Sequence, residues 1–242
     1  MGAESISAPA AALRELVMTR LSPVEAYRLW ASSWDSSASP IVELERRYLS
    51  PWLQDLKGKT LVDVGCGTGR WMSHAQKAGA RTIGVDLSLE MLQQASFKSG
   101  LHGRLAVADM TTLPLRESFA DMVLCALSLG HCQDMEGVLA GLLRLPHPGG
   151  HVIISDFHPN AIRDGWKRTF RCGEETLEIE SYPYQVESLL AQAHASGYSL
   201  EQLLELSFGP EEELIFQNAG RADLLERVRN VPAVLLLSLR RL

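Results

Sequence analysis

The most constraining stretch of the chain is Leu61-Val62-Asp63-Val64-Gly65-Cys66-Gly67-Thr68-Gly69-Arg70-Trp71: an apolar run, glycines at alternate positions, then residues of helical character. Glycines at a strand-to-helix junction let the backbone turn sharply and let a ligand approach with no Cβ in the way. Their amides and the N-terminus of the next helix form a partly positive nest. Glycines also make ordinary turns, so the stretch gains its meaning from the residues downstream.

Downstream, short apolar runs alternate with helical stretches. Strands are expected at residues 60–64, 81–85, 104–108, 122–127 and 151–156, with helices at 70–78, 89–98 and 134–145. Continuous apolar strands separated by helices imply a parallel sheet buried on both faces. Pro148-Gly149-Gly150 reads as the turn that ends a helix and launches the fifth strand. Beyond residue 157 the pattern changes. Residues 158–183 read as irregular or hairpin-like with a short strand at 176–179, and a helix over 185–196 stops at Gly197. A sixth strand is expected at 200–207, where a helical reading competes, then helix over 211–229 and a seventh strand over 231–240.

Upstream, residues 10–18 are rich in helix formers, and Ser22-Pro23 sets a cap before a first-turn proline for a helix over 24–33. A third helix carries Leu44, Tyr48, Leu49 and Trp52, with Pro51 kinking or restarting it. The expectation is a single α/β domain over residues 1–242: a helical cap at 1–57, a ligand-binding core at 58–157 and an acceptor-side and C-terminal part at 158–242.

Composition narrows the function classes. The chain has 242 residues, 46% of them hydrophobic, enough for a large core without metals or disulfides. A net charge of −6 argues against a nucleic-acid partner, which would call for clustered Lys and Arg. Arg163, Lys167, Arg168 and Arg171 lie close together and read as a solvated surface segment. Cys66, Cys125, Cys132 and Cys172 show neither a CxxC pair nor regular spacing, which argues against a zinc site or disulfides and fits a reducing cytoplasm. The N-terminal stretch lacks the pattern of a secretory signal, and the apolar run at 231–237 is too short to span a bilayer.

Acids recur where the strands end. Asp86 closes the second strand, and in a doubly wound sheet that places it beside the glycine turn, where its carboxylate can accept hydrogen bonds from both hydroxyls of a ribose. Leu87 and Met91 come next and can wall an adenine; Asp109 and Met110 stand at the end of the third strand. Each acid alone reads equally well as a cap or turn residue, but three acids at three successive strand ends fit a ligand better. A dinucleotide fingerprint needs glycine at position 70, where the chain has Arg70, and no lysine sits in a P-loop arrangement.

Four segments carry a resemblance: LVDVGCGTGRW, GVDLSLEML, ADMTTLPLRESFADMVLCALSLGHCQD and LLRLPHPGGHVIISDFHP. In this order and spacing the chain resembles the class I S-adenosylmethionine-dependent methyltransferases, in particular the small-molecule branch of ubiquinone and menaquinone biosynthesis. YRLWASSWD resembles that branch's cap segment more loosely. The resemblance implies a Rossmann-like, seven-stranded, mostly parallel sheet with helices on both faces and an antiparallel last strand. It implies S-adenosylmethionine as cofactor and S-adenosylhomocysteine as product. By position it assigns Asp63, Gly65, Cys66, Gly67 and Gly69 to the methionine end, Asp86 to the ribose, and Asp109 and Met110 to adenine. Ala126 and Leu127 would line the methionine end after the fourth strand.

Methyl transfer needs alignment and, for a protonated nucleophile, a base. His131 and His158 come after the fourth and fifth strands at the ligand-bearing edge, and each is a candidate base; each reads more readily as a loop-orienting or turn residue. No histidine pair has metal-binding spacing on a helix. Tyr27, Trp30 and Trp34 share a face if the cap helix continues, and read either as core packing or as a lid contacting the acceptor. Trp166, Phe170, Tyr182 and Tyr184 mark the other acceptor wall. The expected partner is a small-molecule acceptor with an O, N or C nucleophile. RNA or protein methylation, and a non-catalytic S-adenosylmethionine-binding module, are the alternatives.

Overall fold

A computed structural model describes residues 18–218 and 222–242. The helix expected at 10–18 falls almost wholly outside them. In chain order the elements are β1 (Arg20–Leu21), α1 (Pro23–Trp30), α2 (Pro40–Leu49), β2 (Thr60–Val64), α3 (Arg70–Lys77), β3 (Arg81–Asp86), α4 (Leu89–Ser96) and β4 (Leu105–Val107). Next come β5 (Ala120–Ala126), α5 (Met135–Leu143), β6 (Pro146–Phe157), α6 (Pro159–Arg163), β7 (Arg168–Cys172) and β8 (Glu175–Ile179). The chain ends with α7 (Val186–Ala195), β9 (Tyr198–Leu206), α8 (Glu213–Asn218), α9 (Ala222–Val228) and β10 (Val234–Arg241).

Side chains set the helix starts. Ser22 and Glu25 form a reciprocal capping box with Pro23 at the first turn of α1. Ser39, Ser88 and Asp134 cap α2, α4 and α5 by accepting from backbone amides. Gly69 begins α3 at φ 75°, and a Cβ there would stand 2.5 Å from Leu101 Cδ1, so only glycine lets α3 leave the loop against α4 and the turn after it.

The main sheet runs β4-β3-β2-β5-β6-β10-β9, with β10 antiparallel to both neighbours and the β2, β3, β4, β5 and β6 pairings parallel. Alternation along the strands divides the core. Val62, Val64, Val123, Cys125, Val152 and Ile154 face α5 and α7, whereas Leu61, Leu124, Ile153 and Leu236 face α2, α3, α8 and α9. The order reverses between β2 and β5, and a crevice opens at the C-terminal ends of the strands there.

Three expectations need correction. The first zone is not purely helical: β1 pairs parallel with β8, and with β7 completes a separate three-stranded sheet over which Ala26 of α1 packs. The cap helix ends at Trp30, and Trp34 starts a separate 3-10 turn. Pro148-Gly149-Gly150 does not precede β6 but lies inside it; α5 ends at Leu143 and pairing resumes at Pro146, where Ala120 offers an edge.

Candidate functional site

The crevice is a cavity of about 280 Å³. Its floor is the turn from Asp63 to Thr68, one wall is Asp86, Leu87, Met91, Asp109 and Met110, and the opposite wall is Ala126, Leu127, Ser128 and His131. Pro23, Val24, Tyr27 and Trp34 of the cap and Tyr182 cover it. At Gly65, φ is 72° and an added Cβ would lie 2.4 Å from Ser128 Oγ, so the floor is as thin as a polypeptide can make it.

Backbone amides orient the acids. Asp86 Oδ2 accepts from the Gly67 amide at 2.7 Å and Oδ1 from the Ser88 amide at 2.8 Å, tying β3 to the floor. Asp109 is exposed, and its Oδ1 accepts from both the amide and the hydroxyl of Thr111 at 2.8 Å. Asp63 is buried beneath the turn, and burial pushes its carboxyl up to about 7, with Arg70 opposing the shift. Three lining residues hold buried polar atoms with no partner: Asp63 Oδ1, Arg70 Nη1 and Trp71 Nε1. One is an acceptor and two are donors. An amino-acid zwitterion would satisfy all three.

The opposite wall is built from distant side chains. His131 Nδ1 lies 3.1 Å from the Glu180 carbonyl, which can only accept, so Nδ1 carries the proton. Withdrawal from water and then the nearby Arg168 charge lower the imidazole to about 3, so it is neutral and Nε2 is an acceptor. The Tyr27 hydroxyl donates to that Nε2 at 2.8 Å. The loop carrying His131 is pinned from below: Gly130 N donates to Asp156 Oδ2 at 2.5 Å, Arg168 pairs with Asp156 Oδ1, and Arg168 Nη1 donates to the Leu127 carbonyl at 3.0 Å. Leu127 itself is held at φ 55°, a left-handed conformation costly for a branched side chain.

Two ties hold the cap to the floor. Asp35 accepts from Thr68 Oγ1 and pairs with Lys98 Nζ, both at 2.7 Å, at the surface. Glu45 of α2, fully buried, pairs with Arg70 Nη2 at 2.5 Å and accepts from Ser155.

Residues 62–154 match the family model described as a methyltransferase domain. The chain is 36% identical over 144 residues to a ubiquinone biosynthesis O-methyltransferase of Ralstonia nicotianae, covering 56% of this chain and 59% of that protein. It is 31% identical over 134 residues to a malonyl-[acyl-carrier protein] O-methyltransferase of Hamiltonella defensa, covering 55% of this chain and 51% of that protein. The chain thus spans little more than half the length of these curated relatives. The crystal structure of an S-adenosylmethionine-dependent methyltransferase from Mesorhizobium loti superimposes with a TM-score of 0.63 at 25% identity, covering 82% of this chain and 98% of that one.

Most of the residues assigned to the site from the sequence meet at the cavity: Asp63, Gly65, Cys66, Gly67, Asp86, Leu87, Met91, Asp109, Met110, Ala126, Leu127, Tyr27 and His131. Three do not. Gly69 serves the packing of α3 against Leu101. Trp30 stands one layer back, stacked on Phe170 at 5.0 Å between ring centres. His158 is buried away from the cavity as the cap of α6: Nδ1 accepts from the Asn160 amide and Nε2 donates to Glu205, so both nitrogens are engaged in structure. Arg168 also departs from expectation, being a buried member of the pair with Asp156 and not a surface residue. Sequence reasoning missed Arg70 and Trp71 as wall residues, although both stand in the glycine-turn stretch. Ser128, Cys132 and Gln133 were passed over in the same way. Among the described residues no helix is long and apolar enough to cross a membrane, and no cluster suits a metal ion.

Proposed function

We propose that the chain is an S-adenosylmethionine-dependent methyltransferase acting on a small-molecule acceptor. The observation that carries this reading is the coincidence of unpartnered Asp63 Oδ1, Arg70 Nη1 and Trp71 Nε1 on one cavity with the glycine floor and the acids beyond it. Asp63 would accept from the methionine ammonium, Arg70 and Trp71 would donate to its carboxylate, and Gly65, Cys66 and Gly67 would present backbone to the chain between. Asp86 would take the ribose hydroxyls. Asp109 would accept from the adenine amino group, with Leu87, Met91 and Met110 against the ring. The residues present fit the cofactor end to end.

When bound, S-adenosylmethionine supplies an electrophilic methyl group on a sulfonium. This chain's part is alignment. Ala126 and Leu127 would set the methionine end toward the acceptor side, and Tyr27, Trp34 and Tyr182 line the cavity where an acceptor would enter. His131, neutral with an accepting Nε2, is the base candidate on that side. Both named relatives transfer methyl to oxygen, which favours an oxygen acceptor here. The acidic chain and a cavity lined by a single cation, Arg70, favour a metabolite over RNA.

Calorimetry with S-adenosylhomocysteine tests the donor half: binding is expected, and no binding sinks the reading. Incubation with methyl-labelled cofactor and, separately, a metabolite extract, tRNA and protein tests the acceptor class. Label in the metabolite fraction alone is expected; label in tRNA or protein refutes it.

A further inference from the structure

The acceptor side poses a chemical question: His131 Nε2, the only nitrogen of that ring free to take a proton, faces the Tyr27 hydroxyl at 2.8 Å. An acceptor would meet Tyr27 first. We propose that Tyr27 and His131 form a two-residue proton relay serving an uncharged hydroxyl acceptor of phenol type; the inference rests on the methyltransferase reading above.

The geometry orders the transfers. Glu180 O fixes the Nδ1–H tautomer, so Nε2 accepts from Tyr27, and the Tyr27 oxygen keeps lone pairs for another donor. The acceptor's O–H proton passes to the Tyr27 oxygen while the Tyr27 proton passes to His131 Nε2. The electron pair left on the acceptor oxygen forms the new C–O bond, and the electrons of the breaking S–C bond stay on sulfur. Tyr27 ends unchanged, and the positive charge moves from sulfonium to imidazolium. That charge balance explains how so buried a base can work. Burial, and next the Arg168 charge, oppose an imidazolium while the pocket also holds a sulfonium. The opposition falls as the sulfonium disappears, and Asp156, itself paired with Arg168, holds the adjacent Gly130 amide so that the loop keeps its place. Burial likewise raises the Tyr27 hydroxyl, so Tyr27 passes its proton on without resting as phenolate.

The charges on the walls define the acceptor. Among the described residues the lining acids Asp63, Asp86 and Asp109 and the single lining cation, Arg70, stand on the donor side, where the cofactor would occupy them. The residues left to an acceptor, Tyr27, Trp34, His131 and Tyr182, offer no cation to a carboxylate or phosphate. Tyr27, Trp34 and Tyr182 supply flat apolar faces for an aromatic ring instead.

The test uses the full chain with S-adenosylmethionine and three probe acceptors: 4-methylcatechol, which must lose a proton; thiophenol, which is largely ionised near neutral pH; and benzoate. Methylation of 4-methylcatechol and not of benzoate is expected. Tyr27→Phe and His131→Gln should each lower the ratio of catechol to thiophenol rates about 100-fold, the scale of a lost acid–base contribution. A structural defect would lower both rates together and leave the ratio, which overturns the relay. Nitrogen NMR of histidine-labelled protein bound to S-adenosylhomocysteine is a second readout: Nδ1 is expected to carry the proton, and Tyr27→Phe to shift Nε2. A proton found on Nε2 overturns the relay. Binding of S-adenosylhomocysteine without catechol methylation overturns the acceptor class alone, whereas no binding overturns the donor assignment and the relay with it.

Discussion

The two sides of the cavity are made by different means. The donor side is backbone: a glycine turn, strand ends, and acids oriented by amides a few residues away, as with Asp86 on Ser88 and Asp109 on Thr111. The acceptor side is side chains drawn from across the chain: Tyr27 meets His131 over 104 positions, and Arg168 of β7 braces Asp156 of β6 below them. A backbone site is fixed by local steric rules and tolerates little change. A side-chain site depends on partners that can be exchanged, so it is where a fold of this kind acquires its particular acceptor.

Removing the brace should have the largest effect. Arg168→Met leaves Asp156 buried without its partner and is expected to cost about 3–5 kcal/mol in chemical unfolding; a loss under 1 kcal/mol would mean the acceptor side does not depend on this pair. On the donor side Gly65→Ala drives a Cβ into Ser128 at a left-handed φ, and a fall of about 100-fold or more in S-adenosylhomocysteine affinity is expected by calorimetry. Asp86→Ala removes an acceptor of charge-assisted hydrogen bonds worth about 1.5–3 kcal/mol, or roughly 10- to 100-fold in the same affinity. Unchanged binding would remove Asp86 from the ribose role.

The smallest of these effects is a pH dependence. Asp63 has its carboxyl raised to about 7, and the donor's ammonium would bind only the ionised form. Affinity should therefore be level above that pH and fall about tenfold per unit below it. A raised carboxyl also means that the folded protein binds its proton more tightly than the unfolded chain. Stability from the protonated carboxyl is thus full below about pH 4, falls as pH rises to about 7 and is gone above it, so Asp63→Asn is expected to raise the melting temperature most at pH 8, less at pH 5 and hardly below pH 4. A profile flat from pH 5 to 8 in both measurements would show that Asp63 is not the titrating group.

The same division explains what was legible in the sequence. The strands of the main sheet announce themselves as apolar runs, and the glycine turn and the strand-end acids reach one cavity because spacing along the chain is spacing at the sheet edge. Arg168 was misread because nothing near it in sequence records that Asp156 waits beneath. His158 was misread for the converse reason: a histidine after a strand has the placement of a base, but Asn160 and Glu205 engage both its nitrogens. The two-residue strand β1 carries no pattern at all, since its pairing with β8 is set by the β7–β8 hairpin. Arg70 was seen only as the residue that breaks a dinucleotide fingerprint, whereas its unpartnered Nη1 makes it part of the wall.

The two ties between cap and floor differ in what can loosen them. The Asp35–Lys98 pair is open to solvent, and at physiological ionic strength charges are screened over about 8 Å, so added salt weakens it. The Glu45–Arg70 pair is shielded and holds regardless. Ionic strength therefore acts on one edge of the cover alone: the α1 edge, above the glycine turn, becomes a door whose latch is set by the electrolyte, while α2 serves as its fixed jamb.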